Sequence, residues 1–237
     1  MEKYMKSNSV FNERRRESSI AGKTNLNVFR LLALGAVAGP VLFMLAWIIL
    51  GVLQPVTSNM YGIMGGISGA ISNPISGLGV GPQAVLFNTA FVLCGFLTLV
   101  GVLGIFQSTG AGRPAARWIC TLLLALSPLG LGMAGIFTLS ASILLHAVAA
   151  ALLFFSPVVS FLAAGFYFRG IPQWRKFGAR LLLGSPLTLF LLILYAATFN
   201  QTFVAAGQGI AGLTERMMTI EVHAWFVAMG WLAFRKS

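Results

Sequence analysis

Long apolar stretches, separated by shorter polar connections, fill most of the chain after residue 30. Six of them reach the roughly 20 residues that a helix needs to cross a hydrocarbon core of about 30 Å. These stretches are Leu31–Leu53, Gln83–Phe106, Trp118–Thr138, Ile143–Phe168, Leu181–Phe199 and about Thr214–Phe234. They lack the apolar–polar alternation of membrane β-strands. Because every backbone amide in a bilayer needs an internal partner, the pattern predicts an all-α polytopic membrane protein, a bundle of six transmembrane helices.

Composition supports this interpretation and excludes a soluble domain. Of the 237 residues, 57% are hydrophobic and only 9% are charged, whereas a soluble domain carries about a quarter charged residues. The net charge of +11 does not indicate nucleic-acid binding, because long uncharged segments separate the basic clusters. We therefore expect membrane lipids as partners and no nucleic acid.

The positions of the basic residues predict the orientation. All 16 Lys and Arg residues except Arg216 fall in segment 1–30, in the connections 107–117 and 169–180, or at the C-terminus. The positive-inside rule then places both termini of a multi-pass cell-membrane protein in the cytoplasm. Residues 1–30 hold seven basic residues and three Glu, and we expect a solvated, disordered tail before a membrane domain at 31–237.

The connection 54–82 is long, lies on the predicted outer side and carries no charge. It contains seven Gly, three Pro and four Ser with interleaved apolar residues, which disfavour disorder. We interpret it as a lid or a shallow re-entrant segment on the outer mouth of the bundle. The alternative is an interfacial loop without a ligand.

Polar side chains within the spans are the candidate chemical groups, because ionisable residues in a membrane are costly. At about 1.5 Å of rise per residue, Asn88, His146, Tyr195 and Glu221 lie within roughly 5–10 Å of the outer boundary. Arg216 lies on a different face of the last helix, so we expect Glu221 to have no partner on its own helix. Either the four groups converge on a ligand head group, or His146 and Glu221 pair for structural reasons.

Four spans contain proline, at Pro40, Pro128, Pro157 and Pro186, and serine precedes the last three. Each proline frees the carbonyl four residues earlier, which for the Ser-Pro pairs are those of Leu124, Leu153 and Leu182. These carbonyls either line a polar cavity or bond to the serines at their own kinks. Small residues at four-residue spacing, such as Gly35 and Gly39, favour close packing within the chain over a dimer face, but the oligomeric state stays open.

Enzyme and metal motifs are absent from the sequence. There is no CxxC pair, no HExxH, no nucleotide-binding loop in a cytoplasmic segment, and no Asp in the chain. We therefore expect no cofactor, no metal site and no catalytic residue. Our first hypothesis is a protein that binds a lipid or other amphiphile at an outer-leaflet site. The alternatives are a small-molecule transporter, suggested by Pro128 and Pro157, and a membrane-embedded lipid-modifying enzyme that uses His146 and Glu221.

Three groups of residues together resemble the domain of unknown function 998 family, six-span membrane proteins mainly of bacteria and archaea. They are the stretch 73–79 (NPISGLG) with Asn88, the stretch 135–137 (GIF) with 146–150 (HAVAA), and the stretch 212–216 (GLTER). The resemblance covers about 31–237 and implies the six-span fold in a bacterial inner membrane. The family often carries a proline and an aspartate where this chain has Thr138 and Ser140, so an activity that needs that acid is not implied here.

Overall fold

The computed structural model describes residues 26–53, 66–110 and 112–236. The helices are α1 Gly35–Leu53, α2 Gly66–Ser72, α3 Ala84–Ser108, α4 Pro114–Ile136, α5 Ile143–Arg169, α6 Arg175–Thr198, α7 Gln201–Ala205 and α8 Ala211–Lys236. Helical residues 26–33 precede α1, so the first apolar span is Leu26–Leu53. Two 3₁₀ turns lie at Ile75–Gly79 and Pro172–Trp174, and no strand occurs in these ranges.

Six of the described helices are long and apolar enough to cross a membrane, which confirms the predicted all-α six-helix fold. The helix ends differ from the predicted ones. Helix α6 begins at Arg175 rather than near Leu181, and α8 begins at Ala211 rather than near Thr214. Hydropathy marks only the apolar window, whereas the backbone hydrogen bonds continue the helix through the flanking polar residues.

Parts of the predicted tail and outer loop lie outside the described residues, namely 1–25 and 54–65. Residues 26–30, which the charge pattern assigned to the tail, are helical. Within the predicted loop, α2 and the turn Ile75–Gly79 are helical, and Ile75 and Leu78 are only 2% and 5% exposed. This half of the loop is therefore packed into the bundle.

The six long helices form a closed ring. Helix α1 packs on α3, α3 on α4, α4 on α5, α5 on α6, α6 on α8, and α8 on α1. We call the end of the ring that carries the turn Ile75–Gly79, the connection 137–142 and α7 the cavity end. The opposite end, with the connections 109–113 and 170–174, is the packed end.

Glycines bring α1 and α3 into close contact. A Cβ atom added at Gly35 or Gly39 would collide with α3, and one at Gly101 would collide with the backbone of Ala36. Only hydrogen fits between the two backbones, as is common where membrane helices cross. The small-residue spacing of the first span thus serves packing within the chain.

Candidate functional site

The start of α8 holds the segment 70–75 in place. Gly212 lies so close to this segment that an added Cβ atom would collide with the carbonyl oxygen of Asn73. Glu215 and Arg216 follow in the next turn and are 5% and 7% exposed. A buried charge is costly unless it has partners, so the contacts of these two residues define this end of the molecule.

The Arg216 guanidinium caps the C-terminus of α2. Its Nη1 donates to the carbonyl oxygens of Ala70 at 2.8 Å, Asn73 at 2.9 Å and Gly212 at 2.8 Å. Carbonyls at a helix C-terminus lack partners within the helix and carry partial negative charge, which a cation stabilises. The guanidinium carbon also lies 5.4 Å from the centre of the Trp47 ring, in cation–π contact.

Glu215 binds the next part of the same segment. Its Oε2 accepts a hydrogen bond from the backbone N–H of Ile75, the first residue of the 3₁₀ turn. Adjacent acidic and basic side chains on α8 thus hold consecutive parts of one segment through its backbone. Their opposite charges compensate each other, which lowers the cost of burying both.

Further contacts join α3, α4 and α5 at the cavity end. Asn88 in α3 donates from Nδ2 to the carbonyl oxygen of Gly79 at 2.9 Å. A Cβ atom added at Gly135 in α4 would lie 2.5 Å from the Asn88 carbonyl oxygen, so these helices also touch closely. The His146 ring in α5 donates from Nδ1 to the carbonyl oxygen of Phe137 at 2.8 Å, just beyond the end of α4. The three sequence motifs therefore meet at one end of the bundle.

These contacts surround a cavity of about 450 Å³. All six long helices contribute to its wall, together with the segment 73–77, the α4–α5 connection and α7. Most lining side chains are apolar, and the polar ones are Asn73, Ser76, His146, Tyr195, Gln201, Glu215 and Thr219. A volume within roughly 300–1,000 Å³ and a few polar groups on an apolar wall are typical of small-molecule sites.

Two polar side chains on this wall are buried and have no hydrogen-bond partner. Asn73 is 3% exposed and Thr219 is 1% exposed. Both amide atoms of Asn73 and the hydroxyl of Thr219 lack a partner among the described residues. Leaving such a group open costs about 1–3 kcal/mol, and native proteins seldom do so. Each of these atoms has less than 1 Å² of accessible surface, so it is enclosed by protein rather than open to the cavity.

The four side chains singled out by depth lie in different surroundings. His146 and Tyr195 line the cavity, whereas Asn88 and Glu221 are not among its lining residues. Asn88 supports the 3₁₀ turn through the carbonyl oxygen of Gly79. The structure therefore brings two of the four to the cavity wall, and the other two are not part of it.

The expectation that Glu221 has no partner on its own helix is wrong. Its Oε1 accepts from Nε1 of Trp225, four residues later on α8, at 2.6 Å, and its Oε2 accepts from Thr188 at 2.9 Å. The prediction considered only charged residues as partners of Glu221, but an indole N–H one turn away also donates a hydrogen bond to a carboxylate. The two Glu221 oxygens accept from Trp225 and Thr188, and Nδ1 of His146 bonds to the Phe137 carbonyl, so none of these hydrogen bonds joins His146 to Glu221.

Two of the Ser-Pro serines bond to the neighbouring helix. Ser127 in α4 donates to the carbonyl oxygen of Leu153 at 3.0 Å, which is the carbonyl that Pro157 frees in α5. Ser185 in α6 donates to the carbonyl oxygen of Val158 at 2.6 Å. We expected the freed carbonyls either to line a polar cavity or to bond to the serines at their own kinks. Instead, these two serines bond to α5 from either side and so join α4, α5 and α6.

Five polar residues of the cavity wall were missed by the depth argument, namely Asn73, Ser76, Gln201, Glu215 and Thr219. Glu215 and Arg216 follow a short connection, and such a pair is normally solvated, so their burial depends on contacts with a segment 140 residues away. One signal was available, because both the Asn73 and the Glu215 stretches are among those on which the family resemblance rests. Spacing alone does not show that these motifs meet.

Comparison with known proteins supports the family resemblance seen in the sequence. The sequence model of the family described as "Protein of unknown function (DUF998)" matches residues 37–232, which include every motif that meets at the cavity end. No curated protein and no solved structure matches this chain. With most of its length matched, the chain belongs to the DUF998 family, whose function is unknown.

Proposed function

We propose that this protein binds a lipid or another amphiphile in the cavity. The observation that carries the proposal is a cavity of about 450 Å³ whose wall is mostly apolar and carries a few polar side chains, among them His146 and Tyr195. An amphiphile suits both features, because its chain fills apolar space and its head group can bond to polar side chains on the wall. A purely polar solute would leave most of the wall without apolar contact.

The side of the cavity between α5 and α7 supports entry from the surrounding bilayer. Ile143 and Phe199 line the cavity and are also 64% and 46% exposed on the outer surface of the bundle. Helix α7 forms another part of this wall and has no buried residue. A thin wall of this kind opens at low cost, and an alkyl chain can then pass sideways into the cavity.

The distribution of charge supports an outer-leaflet site. Among the described residues, the Lys and Arg residues other than Arg216 lie towards the packed end, at Arg30, in 113–117 and 169–180, and at the end of α8. The positive-inside rule then places the packed end in the cytoplasm and the cavity end at the outer face. The ligand is accordingly a component of the outer leaflet.

Native mass spectrometry from nanodiscs, with a variant that fills the cavity, tests the proposal. Ala150 lines the cavity, and Ala150→Trp would occupy part of the space. Ala151 is the matched control, because it is the next residue, about 100° around α5, and is exposed. We expect the parent and Ala151→Trp to retain a bound amphiphile that Ala150→Trp has lost.

A parent protein that carries no bound amphiphile would contradict the proposal. So would an amphiphile that both tryptophan variants retain equally, because it would then bind outside the cavity. Thermal unfolding of the three proteins in detergent checks that Ala150→Trp is folded.

A further inference from the structure

The cavity wall carries one formally charged side chain, and this side chain is acidic. Among the described residues that line the cavity it is Glu215, and no Lys or Arg is among them. Arg216 lowers the cost of burying Glu215, but it is not a lining residue, and its Nη1 donates to three carbonyl oxygens. The wall therefore offers a carboxylate to the cavity without a cation beside it.

One oxygen of this carboxylate is open. Oε2 accepts from the backbone N–H of Ile75, whereas Oε1 has no hydrogen bond to a described residue. Oε1 is also not among the enclosed, unpartnered atoms, which include the Asn73 amide and the Thr219 hydroxyl. Because Oε1 keeps accessible surface and Glu215 lines the cavity, a molecule in the cavity can reach this acceptor.

Two hydroxyl groups on the same wall are open for the same reason. Those of Tyr195 and Ser76 have no hydrogen bond to a described residue and are not among the enclosed atoms. The fold places both near Glu215. Ser76 directly follows the residue that donates to Oε2. Tyr195 lies one turn before Thr198, whose hydroxyl is 2.7 Å from that of Thr214, the residue before Glu215. Each of the three open groups accepts hydrogen bonds, which suits a head group that donates.

Aromatic side chains form much of the remaining wall. The face of an aromatic ring attracts a cation, and proteins recognise ammonium ligands with walls of such rings. The aromatic lining residues are Phe43, Phe91, Phe154, Tyr195 and Phe199. The wall thus combines aromatic rings with an acidic group and lacks a basic residue in the described part of the chain.

We propose, on the basis of the function proposed above, that the ligand is an amphiphile whose head group is a protonated primary amine. The ammonium donates to Oε1 of Glu215, and the hydroxyls of Tyr195 and Ser76 are the further acceptors for its three N–H groups. Its alkyl chain lies along the apolar part of the wall. A hydrogen bond between two charged groups is about twice as strong as a neutral one, so Glu215 contributes most to recognition.

Three other head groups fit this wall less well. A carboxylate or phosphate would lie near Glu215 and be repelled at low dielectric. An alcohol donates one hydrogen bond and carries no charge. A trimethylammonium is charged but has no N–H, so Oε1 would stay without a donor.

Photoreactive amphiphiles of one chain length test the proposal with the full chain in phosphatidylcholine nanodiscs. Each carries the same alkyl diazirine, and the head group is a primary amine, an alcohol, a carboxylate or a trimethylammonium. Labelling of cavity-lining peptides is measured against ligand concentration and normalised to labelling of the nanodisc lipid. We expect the amine to label at concentrations about tenfold lower than the other three, the ratio for a charge-assisted in place of a neutral hydrogen bond.

Glu215→Gln shows whether this residue causes the preference. Glutamine keeps an oxygen that accepts from the Ile75 N–H but removes the charge, so the amine should lose its advantage over the alcohol. Glu221→Gln is the matched control, because Glu221 is a carboxylate of the same helix that does not line the cavity. The control should keep the preference of the parent.

Tyr195→Phe is a second variant that changes no charge. It removes one open hydroxyl, and we expect amine labelling to need a concentration about fivefold higher, the ratio for one neutral hydrogen bond. Thermal unfolding in detergent checks that each variant is folded. If Glu215→Gln is not folded, unchanged amine labelling in Tyr195→Phe still overturns the proposal.

The ammonium can belong to a single-chain amine or to the ethanolamine head group of a phospholipid. Competition by each unlabelled form against the photoreactive amine distinguishes these sources, and the form that competes at the lower concentration is the better ligand. Failure of both forms to compete would overturn the proposal.

The possible outcomes separate this inference from the function on which it rests. If no amphiphile labels the cavity, both the inference and the proposed function are wrong. If the alcohol, the carboxylate or the trimethylammonium labels it as strongly as the amine, the protein binds amphiphiles and only the head-group inference is wrong. The same holds if a folded Glu215→Gln keeps the parent's preference.

Discussion

The two ends of the helix bundle are built from similar apolar residues but are filled differently. At the packed end, Phe168 stacks on Phe106 with ring centres 5.5 Å apart and on Trp174 at 4.6 Å, and all three side chains are buried. At the cavity end, Phe43 and Phe91 lie in a second apolar cluster, but both also face the cavity of about 450 Å³.

The difference shows that the cavity is not a consequence of helix packing alone. The same six helices fill their interior with stacked rings at one end, so the chain is able to close its core. At the other end, small side chains such as Ala134 and Ala150 line open space, and polar side chains such as His146 and Tyr195 lie on the same wall. Open space with a mostly apolar wall and a few polar side chains is typical of small-molecule sites.

Truncating one aromatic side chain at each end should have unequal effects. Trp174→Ala removes a fully packed ring, and we expect a loss of about 3–5 kcal/mol in the free energy of unfolding. Phe154→Ala should cost less, because Phe154 already lines a cavity and has fewer packing contacts to lose. Thermal unfolding in detergent measures both, and an equal or larger loss for Phe154→Ala would contradict the comparison.

Removing the cation that holds segment 70–75 should also be costly. Arg216→Met leaves three carbonyl oxygens without their donor and Glu215 without its counter-charge, and we expect a loss of about 3 kcal/mol. Arg235→Met is the matched control on the same helix. Arg235 is exposed beside Trp231, so its loss should stay within about 0.5 kcal/mol. Similar losses for both variants would show that Arg216 does not hold the segment.

The cost of losing a hydrogen bond between helices should be smaller. Ser127→Ala removes the donor to the Leu153 carbonyl, which Pro157 leaves without its helical partner, and we expect a loss of about 1–2 kcal/mol. Ser156→Ala is the control, because that serine also precedes a proline but bonds to the Leu152 carbonyl of its own helix. If Ser156→Ala costs as much as Ser127→Ala, the connection between helices contributes no extra stability.

The smallest effect concerns the pair that the sequence suggested. His146 bonds to the Phe137 carbonyl and Glu221 to Trp225 and Thr188, so the two share no partner. We expect the losses in His146→Ala and Glu221→Gln to add within about 0.3–0.5 kcal/mol in the double variant. Thermal unfolding of the single and double variants measures this, and a larger coupling energy would restore the predicted pair.

The sequence predicts the bundle well because apolar length is a local property. Each span is recognisable from its own residues. Only the helix ends differ from the prediction, where polar residues such as Arg175 extend a helix. The candidate site is predicted only in part because it depends on contacts distant in sequence. Depth along a span places His146 and Tyr195 at the cavity, but it does not distinguish them from Asn88.

The burial of Asn73 and Glu215 is not predicted by the position of each residue along the chain. Asn73 lies in a segment that resembles an uncharged surface loop, and Glu215 lies next to an arginine at the start of a span. Each is buried because the other's segment covers it, through the Arg216 and Glu215 contacts with residues 70–75. Neither the span nor the loop shows this contact by itself, and the only indication in the sequence is that both stretches carry the family resemblance.

Retention of a bound amphiphile by the two tryptophan variants tests the central claim most directly. Ala150 lines the cavity and the neighbouring Ala151 is exposed, so only Ala150→Trp fills the binding space. The account predicts that native mass spectrometry from nanodiscs finds a bound amphiphile on the parent and on Ala151→Trp and finds none on Ala150→Trp. A parent without a bound amphiphile, or equal retention by both variants, would contradict the account of the cavity as a binding site.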